Sequence, residues 1–256
     1  MKYLSLLVLI MLFNFQPLTA QQKYPVLVYG INLDTINVMV NKHPKYFKAL
    51  QRKFLKAPEK MDQDEKILMY YGSAFLKNFN PKEEDNAVEK IAGMLGEFNF
   101  ESAIEEGEKL LTVYPVNSRL YMLLGYAYKK NGQKEKSKYY YKRYADLIRI
   151  PLYSGSGKNF DKAFTVRIVS DEYLILNQKD LELVQQELRY HHRMPYDVLL
   201  IKPRSKNNER MKTLPKEKLY FNIYLPFFVG EHHTYKQLQD KAKRKYKIPD
   251  EKRGSE

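Results

Sequence analysis

Gly155-Ser156-Gly157-Lys158 is the stretch that comes nearest to spelling out a chemistry. A phosphate-binding loop needs GxxxxGK followed by Ser or Thr, with a strand before it and a helix after it. Its backbone N–H groups then cradle phosphate while the hydroxyl reaches Mg²⁺. Here Asn159 follows the lysine, a helical pattern ending at Pro151 precedes the stretch, and a strand pattern follows. A flexible turn or linker is the better reading. The histidines stand as His43, His191-His192 and His232-His233. Neighbours on a strand point to opposite faces, so neither pair is a ready two-ligand clamp. Zinc asks for three or four ligands at defined spacing, and neither HExxH nor HxH occurs. A composite site from His192 and His233 across a sheet stays open.

Nucleophilic catalysis has little to draw on, since there is no Cys and no GxSxG elbow. The carboxylate groupings are Asp171-Glu172 and Glu83-Glu84-Asp85. The first sits at an expected strand junction, where a turn role is natural. The second opens an expected helix, whose dipole favours acids at its start. No enzyme template is met, so the expectation is a non-enzymatic protein without cofactor or metal.

The tyrosines are different. Tyr139, Tyr140, Tyr141 and Tyr144 lie among Lys136, Lys138, Lys142 and Arg143. Helical spacing puts Tyr140 and Tyr144 on one face and Lys138 and Lys142 on another. Rings beside bases suit a peptide, a sugar or an anionic glycan. Core packing by Tyr141 and Tyr144 behind a solvated lysine face is the competing reading. The expected interaction surface is Tyr121, Tyr128, Lys129, Tyr140 and Lys142.

Those side chains need elements to hold them. Residues 24–80 read as interrupted helices: Tyr46, Leu50 and Phe54 recur at four-residue spacing, and Ile67, Tyr70, Tyr71, Ala74 and Phe75 form a second apolar stripe. Asp62 with Glu65 makes a capping box, and Asn80-Pro81 ends one helix and opens the next. Two helix pairs follow, 87–96 with 101–114 and 119–130 with 133–148, broken at 96–99 and at Asn131-Gly132. Phe100, Ala103, Leu110 and Pro115 fit the second helix of a tetratricopeptide repeat, and Tyr121, Leu124, Gly125, Tyr128 and Gly132 the first helix of the next. Ala103 and Ser137 stand 34 residues apart, the period of that repeat. After Pro151 the period shortens. Residues 164–169, 173–176, 196–201 and 219–225 read as strands, and 181–190 as strand or helix, which suggests an antiparallel meander.

The N-terminus sets the compartment. Lys2, an apolar run over residues 4–15 and a small residue at Ala20 compose a secretory leader. The run is shorter than the roughly 20 residues a membrane span needs. No Cys follows it, so the expected product is a free periplasmic or secreted protein, not a lipoprotein, with no stable membrane span after cleavage. A cysteine-free exported chain points to a bacterial envelope. Export also redirects the net charge of +14, away from nucleic acid and towards envelope anions.

Tyr70-Tyr71-Gly72 with Asn80-Pro81, the repeat pair, SGSGKNFDKAFTVRIVSDEY over 154–173 and LYFNIYLPF over 219–227 resemble a family of exported Bacteroidota proteins, catalogued as domain of unknown function 4919. The resemblance implies an envelope address and a tetratricopeptide-like front followed by a small β unit, and it transfers no catalytic residue. The expected fold is therefore α+β. It comprises a signal peptide over 1–20, a tetratricopeptide-like stack of helical hairpins over 21–150, a small antiparallel β-sheet over 151–235 and a charged tail over 236–256. The expected partner is an envelope protein or peptide segment, with an anionic glycan or lipopolysaccharide bound through 129–143 and 202–218 as the rival, and an enzyme of unrecognised type as the third.

Overall fold

The computed structural model of the chain describes residues 27–28, 31–192, 194–204 and 217–230. The expected leader, the charged tail, His232-His233 and most of the basic loop over 202–218 lie outside the described residues.

Two short strands, β1 (Leu27–Val28) and β2 (Ile31–Asn32), pair antiparallel ahead of the helices. Seven α-helices follow among the described residues: α1 (Leu33–Lys42), α2 (Pro44–Lys56), α3 (Gln63–Gly72), α4 (Pro81–Gly96), α5 (Phe100–Val113), α6 (Ser118–Lys130) and α7 (Lys134–Tyr153). Their starts are chemically marked. Asp62 accepts from the Glu65 N–H while the Glu65 side chain reaches back to Asp62 N, a complete capping box. Asn80 accepts from Glu83 N and Pro81 fills the first helical position, where a missing N–H costs nothing. Asn117 caps α6 through Leu120 N at 2.8 Å. The α2 stripe is Phe47, Leu50 and Phe54, all buried, whereas Tyr46 is exposed.

Pro151 does not end α7 where the sequence suggests. It lies within the last turn, where little helix remains to be disrupted. The helix closes two residues later at Tyr153, with Ser154 N and Oγ both donating to Pro151 O. Ile148 and Leu152 of that last stretch pack against the sheet, so α7 belongs to both parts of the molecule.

The second part contains β3 (Phe164–Thr165), α8 (Ser170–Gln178), β4 (Leu181–His191), β5 (Met194–Pro203), β6 (Glu217–Asn222) and a π-helical turn, Leu225–Gly230. The fold class is α+β, but two expectations need correction. Residues 173–176 are helix; Leu174, Ile175 and Leu176 are all buried, and a continuous apolar run carries no period to tell strand from helix. The sheet is mixed, in the order β3-β6-β5-β4. β3 arrives on the far side of β6 and runs parallel to it, Phe164 beside Phe221, while the other two pairings are antiparallel. One face of the sheet carries Leu199, Leu219 and Phe221 into a core shared with Ile175 and Ile148.

Gly155 and Gly157 form an ordered turn. The N–H groups of Ser156 and Gly157 both donate to Lys162 O, at 2.9 and 2.6 Å, and Gly157 O accepts from Tyr220 N of β6. A phosphate-binding loop would need those N–H groups free. Gly157 takes φ +71°, a left-handed conformation that a side chain would strain.

Candidate functional site

The α6–α7 hairpin turns at Asn131-Gly132, where Gly132 takes φ +75° at the helix end. Ser137 Oγ donates to Gly125 O at 2.7 Å and fixes the register of the two helices. That register brings Tyr121, Tyr128 and Tyr140 together. Tyr128 and Tyr140 stack with centroids 5.2 Å apart, and Tyr121 lies 6.0 Å from Tyr140. Tyr139 meets Tyr140 edge-on at 5.2 Å.

Glu108 of α5 organises the group. Its Oε1 accepts from Tyr128 OH at 2.5 Å and from Tyr140 OH at 2.8 Å, while Oε2 has no hydrogen-bond partner among the described residues. Burial first, and then hydrogen bonding to this carboxylate, push both phenols far above their ordinary range. They stay protonated donors at any physiological pH. Beneath Tyr121 lies Arg143, which is buried, donates to Phe54 O at 2.9 Å and sits 4.0 Å over the Phe54 ring.

A surface pocket of about 230 Å³ opens against this cluster. Leu111, Tyr121 and Tyr140 are its buried floor, Leu55 and Tyr139 its exposed rim, and Glu108 and Thr112 complete the lining. Pockets for small-molecule ligands start at roughly 300 Å³. This one is smaller. It presents aromatic faces, the Glu108 carboxylate and the Thr112 side chain.

Of the expected surface residues, Tyr121, Tyr128 and Tyr140 converge, but at 2%, 1% and 8% exposure they are floor and support, not a presented face. The expected surface at Tyr121 and Tyr128 is therefore corrected to a pocket whose accessible ring is Tyr139, since the α6–α7 contact covers the other two. Lys129 and Lys142 are exposed, and Arg143, counted with the basic face, is withdrawn into the core. Glu108 was not picked out, because in sequence it is one acid among Glu105, Glu106 and Glu108 on an exposed helix face.

A second polar cluster joins the helices to the sheet unit. Arg167 pairs with Glu84 through both terminal guanidinium nitrogens, Nη1 to Oε2 at 2.9 Å and Nη2 to Oε1, and Asn117 Nδ2 donates to Glu84 Oε1 at 2.7 Å. Tyr70 OH donates to Asp171 Oδ2 at 2.5 Å, and Tyr71 OH to Thr165 O at 3.1 Å. Burial, outweighing the neighbouring Arg167, raises Asp171 to about 6. Glu172 is also raised, by burial and then by Asp197, which itself accepts from Gln186 Nε2 at 2.7 Å. A cavity of about 30 Å³ touches this cluster, room for one or two waters. So Glu84 and Asp171, which the sequence assigns to a helix dipole and a turn, bond the two parts together. Only Glu83, bonded through its N–H to Asn80, keeps the simple helix-start role.

The helix pairs, the mixed sheet and this seam span the region matched by a family described as a domain of unknown function, DUF4919, over residues 35–226. The chain belongs to that family. No curated protein and no solved structure matches it. Within the DUF4919 region lie the whole tyrosine pocket and the whole buried seam. His192 takes φ +47° beyond the end of β4, with its ring 4.1 Å from that of His191. The described residues contain no group of three metal-ligating side chains, and no helix among them is long and apolar enough to cross a membrane.

Proposed function

We propose that this DUF4919 chain is an exported bacterial envelope protein and a non-enzymatic interaction module. Its tetratricopeptide-like helices hold a segment of another envelope protein at the Glu108 pocket. The observation that carries the reading is the pocket itself: an exposed Tyr139 ring and Leu55 rim above a rigid tyrosine floor, with one carboxylate oxygen unpartnered. Fixed aromatic rings give contact area at small entropy cost, which is why interface anchors are rich in tyrosine. The repeat reading draws support from Ala103 and Ser137, each the fourth residue of the second helix of its pair and each buried. Stacked helix pairs commonly serve as binding surfaces.

The rival, an anionic glycan or lipopolysaccharide held by exposed Lys129, Lys136 and Lys142, loses Arg143 to the core. Binding to such a polyanion should be strongest at low salt. The two separate in one experiment. Immobilised protein and a Tyr139→Ala/Glu108→Gln variant are exposed to envelope extract at low and moderate salt. The proposal expects a retained protein that the variant releases, by about tenfold or more for an anchor residue. Identical retained sets, or capture only of salt-labile polyanion, would overturn it.

A further inference from the structure

β4 is the edge of the sheet, and among the described residues nothing pairs with its outer side. It is long and mostly exposed, and it carries three exposed large apolar side chains, Val184, Leu188 and Tyr190. An unpaired strand edge is a template for another strand. Its regular portion is sharply bounded. A register shift falls between Leu183 and Gln185, and His192 turns the chain at φ +47°. The unbroken ladder therefore runs from Gln185 to His191, and its midpoint is Leu188.

That midpoint makes the segment self-complementary. Antiparallel pairing of two copies about Leu188 sets Glu187 of each against Arg189 of the other, so two opposite-charge pairs form by symmetry. On the same face Gln185 meets His191. On the other face Leu188 meets Leu188, and Gln186 meets Tyr190 on either side. Strand residues of alternate parity face opposite ways, so neither set mixes with the other. Opposite charges directly across an antiparallel pair stabilise it and like charges destabilise it. In the single chain Glu187 and Arg189 already bond each other at 2.8 Å while both stay about half exposed, so the exchange needs no burial of an unpaired charge.

We infer that two copies of this chain associate edge to edge through β4, with a two-fold axis at Leu188 and a continuous eight-stranded sheet. Self-matching of one patch on both subunits is the common geometry of homodimers. This association is independent of the tyrosine pocket, which lies on the helices.

Charge exchange tests it. Sedimentation of the purified protein should show a concentration-dependent dimer. Glu187→Arg and Arg189→Glu, both exposed positions, should each raise the dissociation constant by about tenfold or more. The double variant Glu187→Arg/Arg189→Glu should restore it. The chain has no cysteine, so Leu188→Cys provides a second readout. Residues directly opposite in antiparallel strands lie within disulfide reach. Oxidation should link Leu188→Cys chains in pairs and leave Phe98→Cys, on an exposed helix–helix turn, unlinked. A monomer at all concentrations, a double variant no better than the singles, or equal linking at both cysteines would overturn the pairing.

Discussion

Arg167 and Glu84 face each other through two hydrogen bonds across 83 residues of chain, with side chains only 2% and 3% exposed. One comes from the segment before α8 and the other from the first turn of α4. Removing one partner of such a pair leaves an uncompensated charge in a low-dielectric setting, at a cost of about 3–5 kcal/mol. Arg167→Met and Glu84→Gln should each lower stability on that scale in denaturant unfolding. The double variant should cost clearly less than the sum, as coupled neighbours do. Additive losses would mean that the two side chains act separately.

Asp171 supplies a pH signature. Its folded pKa of about 6 lies above the ordinary 3.8, so between those values the folded state holds a proton that the unfolded chain releases. Stability from this group is complete below about pH 4 and is lost as pH rises to about 6, on the order of 3 kcal/mol. Asp85, Glu172 and Asp197 are raised as well and act in the same direction. Melting temperature should therefore fall from pH 4 to 6. Asp171→Asn, which keeps an acceptor for Tyr70 OH, should make that decline shallower.

Glu172 is fully buried, and among the described residues no donor reaches either of its oxygens. Two carboxyl groups bond only through a proton, and burial beside Asp197 keeps that proton on Glu172. Glu172→Gln preserves shape and donor and should change stability by less than about 1 kcal/mol. Glu172→Ala leaves a cavity and strips Asp197 of a donor, a loss of about 2–4 kcal/mol. Equal losses in the two variants would show that a charged Glu172 is required.

The glycines separate by what surrounds them. A Cβ on Gly155 would strike the carbonyl oxygens of Lys162 and Ala163, which are backbone and cannot turn aside. Gly155→Ala should cost about 1–3 kcal/mol or more. Gly93, inside α4, has open space around it, and Gly93→Ala should stabilise by about 0.5–1 kcal/mol. Thermal melts of the two variants, run side by side, check both.

What could be read in the sequence was local. Asp62 with Glu65 and Asn80 with Pro81 mark helix starts within four residues, and the structure has helices there. Tyr121, Tyr128 and Tyr140 fell on helices of known spacing, so their convergence followed once the hairpin closed. Their burial did not follow, because spacing alone leaves the partner of each face unspecified. The pairings that define the rest are distant: Arg167 with Glu84, Tyr70 with Asp171, β3 with β6. A charged or phenolic residue has no sequence period that reports such a partner. Residues 173–176 failed for the opposite reason, since helix and strand bury a solid apolar run equally well.

The pocket reading is tested most directly by a photo-activated crosslinker placed at Tyr139 in cells that produce the protein, with Tyr153 as the control. Both side chains are exposed, at 45% and 67%, but only Tyr139 borders the Glu108 pocket. The account predicts one discrete protein adduct at position 139, absent at 153 and lost when Glu108 is replaced by Gln. No adduct at 139, or the same adducts at both positions, would contradict it.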